Sequence, residues 1–336
     1  MVPSSLTPHP SIPPILGQDH VAEQFTSILQ QGRLASTYLF IGPGGVGKRL
    51  FARQLSGALF CSQVADTALV GCGECQSCLL MAAGNHPDLL EVGLLKEKRS
   101  LLLEQFIGPD ERRYREGLCH DLSLRPALAS RRVAIIDHAD TLSTVIANSL
   151  LKTLEEPPPR SLLILLGTSE AKQLPTIRSR AQVIRFAPLP TDVIERLVLE
   201  HEIASSPEMA RNIAQLAEGS LDQARSMASE ELWQLHAECV GLLSQPVIDS
   251  VRLSARVHEF SQQAGKEASV RRAALVAAIS LCREHYRREL RTDPASAAAP
   301  GLLSRIDRCL RAEEQVDRNA HPQTVVQCWA EDLARA

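Results

Sequence analysis

Aromatic side chains are scarce in this 336-residue chain, at 4%. That argues against a row of base-stacking platforms for single-stranded nucleic acid. Positive charge is not in surplus either: 39 acidic residues face 36 basic ones. The balance gives no electrostatic case for a stand-alone nucleic-acid binder, and neither a helix-turn-helix nor a basic stripe is visible. No apolar run is long enough to span a bilayer. The opening "MVPSSLTPHPSIPP" lacks the charged and apolar regions of a signal peptide and reads as a Pro-rich flexible lead. The expectation is a cytoplasmic protein with no membrane partner. In a reducing compartment the nine cysteines suggest metal ligands or plain core packing before disulfides.

What the chain does contain is an ordered alternation. "TYLFI" (37–41), "DLLEV" (88–92), "RVAIID" (132–137), "SLLILLG" (161–167) and "QVIRF" (182–186) read as strands. The near-continuous apolar ones are those expected to be buried on both faces. Helical patterns between them imply a parallel sheet covered on both sides. After "APLP" (187–190) only helical periodicity remains, with Gly219 a helix stop, Ser220 a cap and a break at "TDPASAAAPG" (292–301). The fold class is therefore α/β, followed by a small helical domain and a helical C-terminal domain. The charged segment 95–119 reads as a solvated connection.

Four stretches carry chemistry. "GPGGVGKRL" (42–50) follows a strand and opens a helix, the context a phosphate loop GxxxxGK[S/T] needs. Gly42, Gly44, Gly45 and Gly47 would let backbone N–H groups converge on phosphate oxygens, and Lys48 would reach the outer phosphates. Arg49 stands where the motif has a hydroxyl for magnesium. A guanidinium has no lone pair to offer a metal, so nucleotide binding is weakened rather than excluded. Asp137 follows the apolar strand in "VAIIDHAD", where a metal-organising Asp belongs. The next residue is His138 instead of a carboxylate that could activate water.

Cys61 closes the helix after the loop, and "CGECQSC" adds Cys72, Cys75 and Cys78. Four thiolates so close in sequence suggest a closed structural zinc site with no open position for catalysis. Unrelated buried thiols or a redox pair are the alternatives. Cys119, Cys239, Cys282, Cys309 and Cys328 are scattered and read as ordinary packing or surface residues. In "LPTIRSRAQVIRF" (174–186), Ser179 and Arg180 lie between a short helix and a strand.

"GPGGVGK", the cysteine insert, "IIDHAD", "NSLLKTLEEPPP" and "LPTIRSRAQVIRF" occur in the order found in bacterial clamp loaders, the AAA+ proteins of the DNA polymerase III holoenzyme. From Ile15 to about Arg225 the chain resembles most their delta-prime family, with the gamma/tau ATPase as near relative. The resemblance implies an AAA+ P-loop domain over 1–187 with a zinc insert at about 61–78, a lid over 188–229 and a helical collar over 230–336. It implies a hetero-oligomeric ring with gamma/tau and delta subunits, acting through the complex on the sliding clamp and primed DNA. Cys61, Cys72, Cys75 and Cys78 match the family's zinc ligands. Asp137 matches its second acidic motif. Arg180 matches the arginine that projects into a neighbour's ATP site, although the motif's third position is Ala181 here. Where active subunits carry a lid arginine, this chain has Asp222.

Arg49, His138 and Asp222 thus replace three parts of one hydrolytic mechanism. The expectation is a subunit that does not hydrolyse ATP and binds it weakly or not at all. Arg180 would serve another subunit's site. An active gamma/tau-type ATPase is the alternative, and a different AAA+ DNA-remodelling factor a more distant one.

Overall fold

The computed structural model describes residues 15–335 apart from 97, 99 and 319. The Pro-rich lead lies outside the described residues. Contacts divide the chain into two compact units, 1–193 and 194–336.

The first unit contains α1 (Asp19–Gln30), β1 (Thr37–Ile41), α2 (Lys48–Phe60), α3 (Gln76–Ala82), β2 (Leu89–Val92), α4 (Glu104–Ile107) and α5 (Leu118–Ser123). It continues with β3 (Arg132–Ile136), α6 (Thr144–Glu155), β4 (Ser161–Gly167), α7 (Pro175–Arg178) and β5 (Gln182–Arg185). The five strands pair in parallel in the order β2-β3-β4-β1-β5. β1 and β4 are buried almost end to end because helices cover both faces.

The scarce aromatics are not scattered. Phe25, Tyr38, Phe40, Phe51 and Phe186 form one cluster with ring centroids 5.0–6.3 Å apart. Tyr38 and Phe40 share a face of β1 through the two-residue period of a strand. Phe25 from α1 and Phe51 from α2 pack onto that face, so the first turn of α2 is held firmly against the sheet. The alternate residues Leu39 and Ile41 face a second core with Ile136, Leu163, Leu165, Ile146 and Leu150.

The segment 95–119 corrects the sequence reading. Most of its described charged residues are exposed, but Leu101, Phe106, Ile107 and Leu118 are buried in that second core. It is a covering layer, not a solvated connection. The mixed charge obscured four apolar anchors at irregular spacing. Asp88 also differs: it precedes β2 and is fully buried.

α8 (Thr191–Glu200) spans the unit boundary. The second unit is helical: α9 (Pro207–Leu216), α10 (Leu221–Ser226), α11 (Glu230–Leu243), α12 (Ser250–Gln263), α13 (Ala268–Thr292), α14 (Ala299–Asp317) and α15 (Pro322–Arg335). Gly219 adopts φ +74° after α9, and the Ser220 hydroxyl accepts from Gln223 N–H to cap α10. Leu216 and Met227 share one core with Leu275, Ile279, Tyr286, Cys309 and Trp329. Among the described residues, no helix is long and apolar enough to cross a membrane.

Candidate phosphate loop, thiol cluster and arginine site

β1 delivers the glycine loop to the C-terminal end of the sheet, and α2 starts at Lys48. Gly47, the residue before the helix, has φ +95°, a conformation open to glycine but strained for other residues. A Cβ on Gly42 would lie 2.5 Å from the Phe186 carbonyl oxygen. The loop passes so close to the end of β5 that only glycine fits. Lys48 Nζ turns back on the loop, donating to the carbonyls of Gly42 (2.6 Å) and Pro43 (2.5 Å).

Arg49 points across the strand ends. Its guanidinium lies 3.4 Å from Glu91 and 3.8 Å from Asp137, and Arg53 pairs with Glu91 at 2.6 Å. Two carboxylates at adjacent strand ends are thus met by two guanidiniums from α2. Sequence reasoning missed Glu91. Its outward position in the short β2 is ordinary, and only the register that sets β2 beside β3 makes it Asp137's neighbour. His138 sits at φ +57°, with its N–H on Asp137 Oδ1 at 2.8 Å and its ring Nδ1 3.5 Å from the same oxygen. Asp140 accepts from Thr168 N–H (2.7 Å) and from the Gln173 amide, pinning the turn after β4. This end of the sheet therefore holds a cation where the phosphate-loop motif has a hydroxyl, 3.8 Å from the Asp137 carboxylate.

The cysteines converge. The sulfurs of Cys61, Cys72, Cys75 and Cys78 all lie within 4.8 Å of one another. Tetrahedral zinc with Zn–S bonds of about 2.3 Å needs sulfurs about 3.8 Å apart, and Cys72 Sγ is 3.8 Å from Cys78 Sγ. Cys61 Sγ accepts from the N–H groups of Val64 and Cys72 at 3.4 Å, and Cys72 Sγ from Cys75 N–H at 3.2 Å. Such donors stabilise thiolate. Burial works against ionisation of Cys75, yet hydrogen bonds from backbone and neighbouring thiols outweigh it and bring it down to about 6. Burial and the neighbouring sulfurs push Cys78 up to about 12. Burial and the crowded sulfurs thus oppose ionising Cys78 beside Cys75 when no cation is present. The donor set fits a closed divalent site.

Arg180 lies between α7 and β5. Because the strands are parallel, it sits at the N-terminal end of β5, roughly 15 Å of strand away from the glycine loop. Its guanidinium donates to Glu155 Oε1 at 2.6 Å, the Thr176 carbonyl at 3.2 Å and Ser179 Oγ at 3.1 Å. Asp222 belongs to the second unit, exposed on the first turn of α10.

The sequence that builds these features matches known proteins. The family model for the DNA polymerase III delta subunit matches residues 17–190, more than half of the chain. The chain belongs to the DNA polymerase III clamp-loader family. It is 33% identical over 225 residues to DNA polymerase III subunit tau of Escherichia coli, covering 65% of this chain and 32% of that protein. Subunit delta' of Bacillus subtilis is 29% identical over 228 residues, 67% of this chain and 64% of that one. Subunit delta' of Pseudomonas aeruginosa is 32% identical over 207 residues, 61% and 60% of the two chains. The matched region thus spans less than two thirds of each relative's own length. A solved gamma subunit-related protein of Thermotoga maritima aligns with 94% of this chain and 98% of its own at 16% identity and a TM-score of 0.43. The clamp-loader chain has the α/β arrangement expected of it, a glycine loop on a five-stranded parallel sheet followed by helices.

Proposed function

We propose that this clamp-loader family member is a non-hydrolysing subunit. It takes part in a ring with gamma/tau-type and delta subunits that places the sliding clamp on primed DNA. Likeness alone does not choose between delta' and tau relatives, since the identities are similar. The observation that carries the reading is the Arg49–Asp137 contact at 3.8 Å. A metal at Asp137 would have to displace the Arg49 guanidinium, which the first turn of α2 carries directly after the glycine loop. His138 beside it has no fixed negative charge to orient a water. ATP would bind weakly or not at all.

The four cysteines hold one structural zinc in this reading. The thiolates supply all four ligands, and the metal fastens the insert to the end of α2. Arg180 acts in trans. Its position at the end of the strands remote from its own loop suits a guanidinium meant for a neighbour, where it would stabilise charge spreading over a transferring phosphoryl group. Residues 188–229 serve as lid and 230–336 as collar, and the complex works in the cytoplasm. The test is steady-state phosphate release from purified protein with magnesium and ATP. The expected rate equals that of Lys48→Ala. Release clearly above that control overturns the reading and favours a gamma/tau-type ATPase.

A further inference from the structure

We propose that a phosphate group binds at the N-terminal end of the sheet, in a cavity of about 500 Å³ lined by Ser36, Ser130, Arg131, Arg160 and Ser161. The cavity opens where β1, β3 and β4 begin, the end opposite the glycine loop. No carboxylate lines it. Neither Arg131 nor Arg160 makes an ion pair among the described residues, whereas Arg132 beside them is held by Asp88. Arg131 Nε is buried and has no hydrogen-bond partner. Arg131 as a whole is only half-buried, so its guanidinium remains within reach of the cavity.

Two further features place these groups. Arg160 adopts φ +62°, an uncommon and strained conformation for a residue with a long side chain. Its carbonyl is held by Arg132 N–H at 2.9 Å, which keeps the turn before β4 in that shape. The buried carboxylate of Asp88 accepts from the N–H groups of Ala127 (2.6 Å), Leu128 (2.8 Å) and Ala129 (2.8 Å). Those bonds fix the loop that carries Ser130 and Arg131 into the cavity. Ser161 donates its hydroxyl to Pro158 O, so the donors open to a ligand are two guanidiniums and the hydroxyls of Ser36 and Ser130.

Phosphate is the chemistry this set recognises. Guanidinium forks match pairs of phosphate oxygens in geometry as well as charge. Two fixed positive charges balance the roughly −1.5 to −2 of a phosphate monoester. The volume accepts a pyrophosphate or one nucleotide of a strand. An isolated phosphate and the backbone of nucleic acid share this chemistry.

The experiment uses the full chain. Pyrophosphate is titrated by calorimetry into wild type, Arg160→Gln, Arg131→Gln and Lys48→Ala. A 20-nucleotide single strand is titrated in parallel by fluorescence anisotropy at several salt concentrations. Arg160 is exposed, so Arg160→Gln keeps the fold, whereas Arg131→Gln is judged only after its melting curve matches wild type. We expect Arg160→Gln to weaken pyrophosphate at least tenfold while Lys48→Ala changes it less than twofold, which assigns isolated phosphate. If Arg160→Gln instead weakens the oligonucleotide and lowers its log K against log salt slope by about 0.7, the source is a nucleic-acid backbone. If wild type binds neither probe, if Arg160→Gln binds both as wild type does, or if only Lys48→Ala matters, the site does not exist.

Discussion

The two ends of one sheet differ. At the C-terminal ends of the strands, the charges of the glycine loop and of α2 face partners in the same chain. Lys48 is bonded to its own loop, Arg49 bridges Glu91 and Asp137, and Arg53 holds Glu91. At the other end the charges are paired unevenly: Arg132 reaches buried Asp88 and Arg180 rests on the exposed Glu155, whereas Arg131 and Arg160 have no ion pair among the described residues. The four thiols lie at the far end of α2, about 20 Å of helix from the loop. Each end keeps the backbone shape that positions its groups. What differs is how completely charge is paired within the chain, and the unpaired arginines are those of the proposed phosphate cavity.

The comparison breaks most visibly if the thiol end does not need metal. Replacing Cys75 and Cys78 by serine is expected to abolish stoichiometric zinc in elemental analysis and to lower stability by at least about 3 kcal/mol. Closed thiolate sites carry about 10 kcal/mol or more of binding energy, part of which here is local folding. Unchanged metal content in the variant with all four cysteines replaced rejects the zinc assignment.

Asp88 gives the next largest effect. Burial pushes its carboxyl up, but the three amide donors and Arg132 outweigh that and hold it below the usual carboxylate range. Asp88→Asn leaves amide donors without an anionic acceptor, and a loss of about 2–3 kcal/mol is expected at pH 7. The folded carboxyl is more acidic than the unfolded one. Its contribution is therefore complete above the ordinary carboxylate pKa and is lost as pH falls through the lower, folded value. Urea unfolding at pH 7, 5 and 3 should show a wild-type advantage constant between the first two and reduced at the third. An advantage that grows toward pH 3 has the wrong sign.

How much of this was legible in the sequence follows from what each signal depends on. β1, β3 and β4 announce themselves because burial on both faces writes an apolar run. The thiols converge because their spacing is local. Glu91 and the Asp88 anchor were not visible, since both act through register and loop placement that only the sheet order creates. Arg131 and Arg160 lie 29 residues apart and look like ordinary strand-flanking charges. Segment 95–119 was misread because its apolar anchors follow neither helical nor strand periodicity.

Arg180→Ala separates a parked guanidinium from a working one. Its pair with Glu155 is exposed, so stability should change by no more than about 0.5 kcal/mol. The effect belongs in the assembled complex: DNA-stimulated ATP turnover and clamp loading should slow, with Arg180→Lys rescuing poorly because an ammonium lacks the planar fork. Arg178→Ala, exposed on the turn before, is the control. Clamp loading at the wild-type rate by Arg180→Ala complexes makes Arg180 a surface residue only.

The smallest change in stability is expected from Arg49→Thr, and it addresses the closed end directly. Arg49 is 58% exposed and its contacts are 3.4 and 3.8 Å long, so removing them should shift stability by less than about 0.5 kcal/mol. The hydroxyl restores a magnesium ligand on the first turn of α2, and Asp137 is released from the guanidinium. ATP affinity measured by calorimetry should then become magnesium-dependent, rising with the metal and falling with a chelator, while wild type responds to neither. Phosphate release should stay at the Lys48→Ala background, because His138 still offers no carboxylate to the attacking water. Adding His138→Glu to Arg49→Thr tests the remaining step. Hydrolysis by the single variant would mean that Arg49 alone silences this site. If neither variant gains magnesium dependence, the loop has lost more than its hydroxyl, and the turned-back Lys48 is the next group to question.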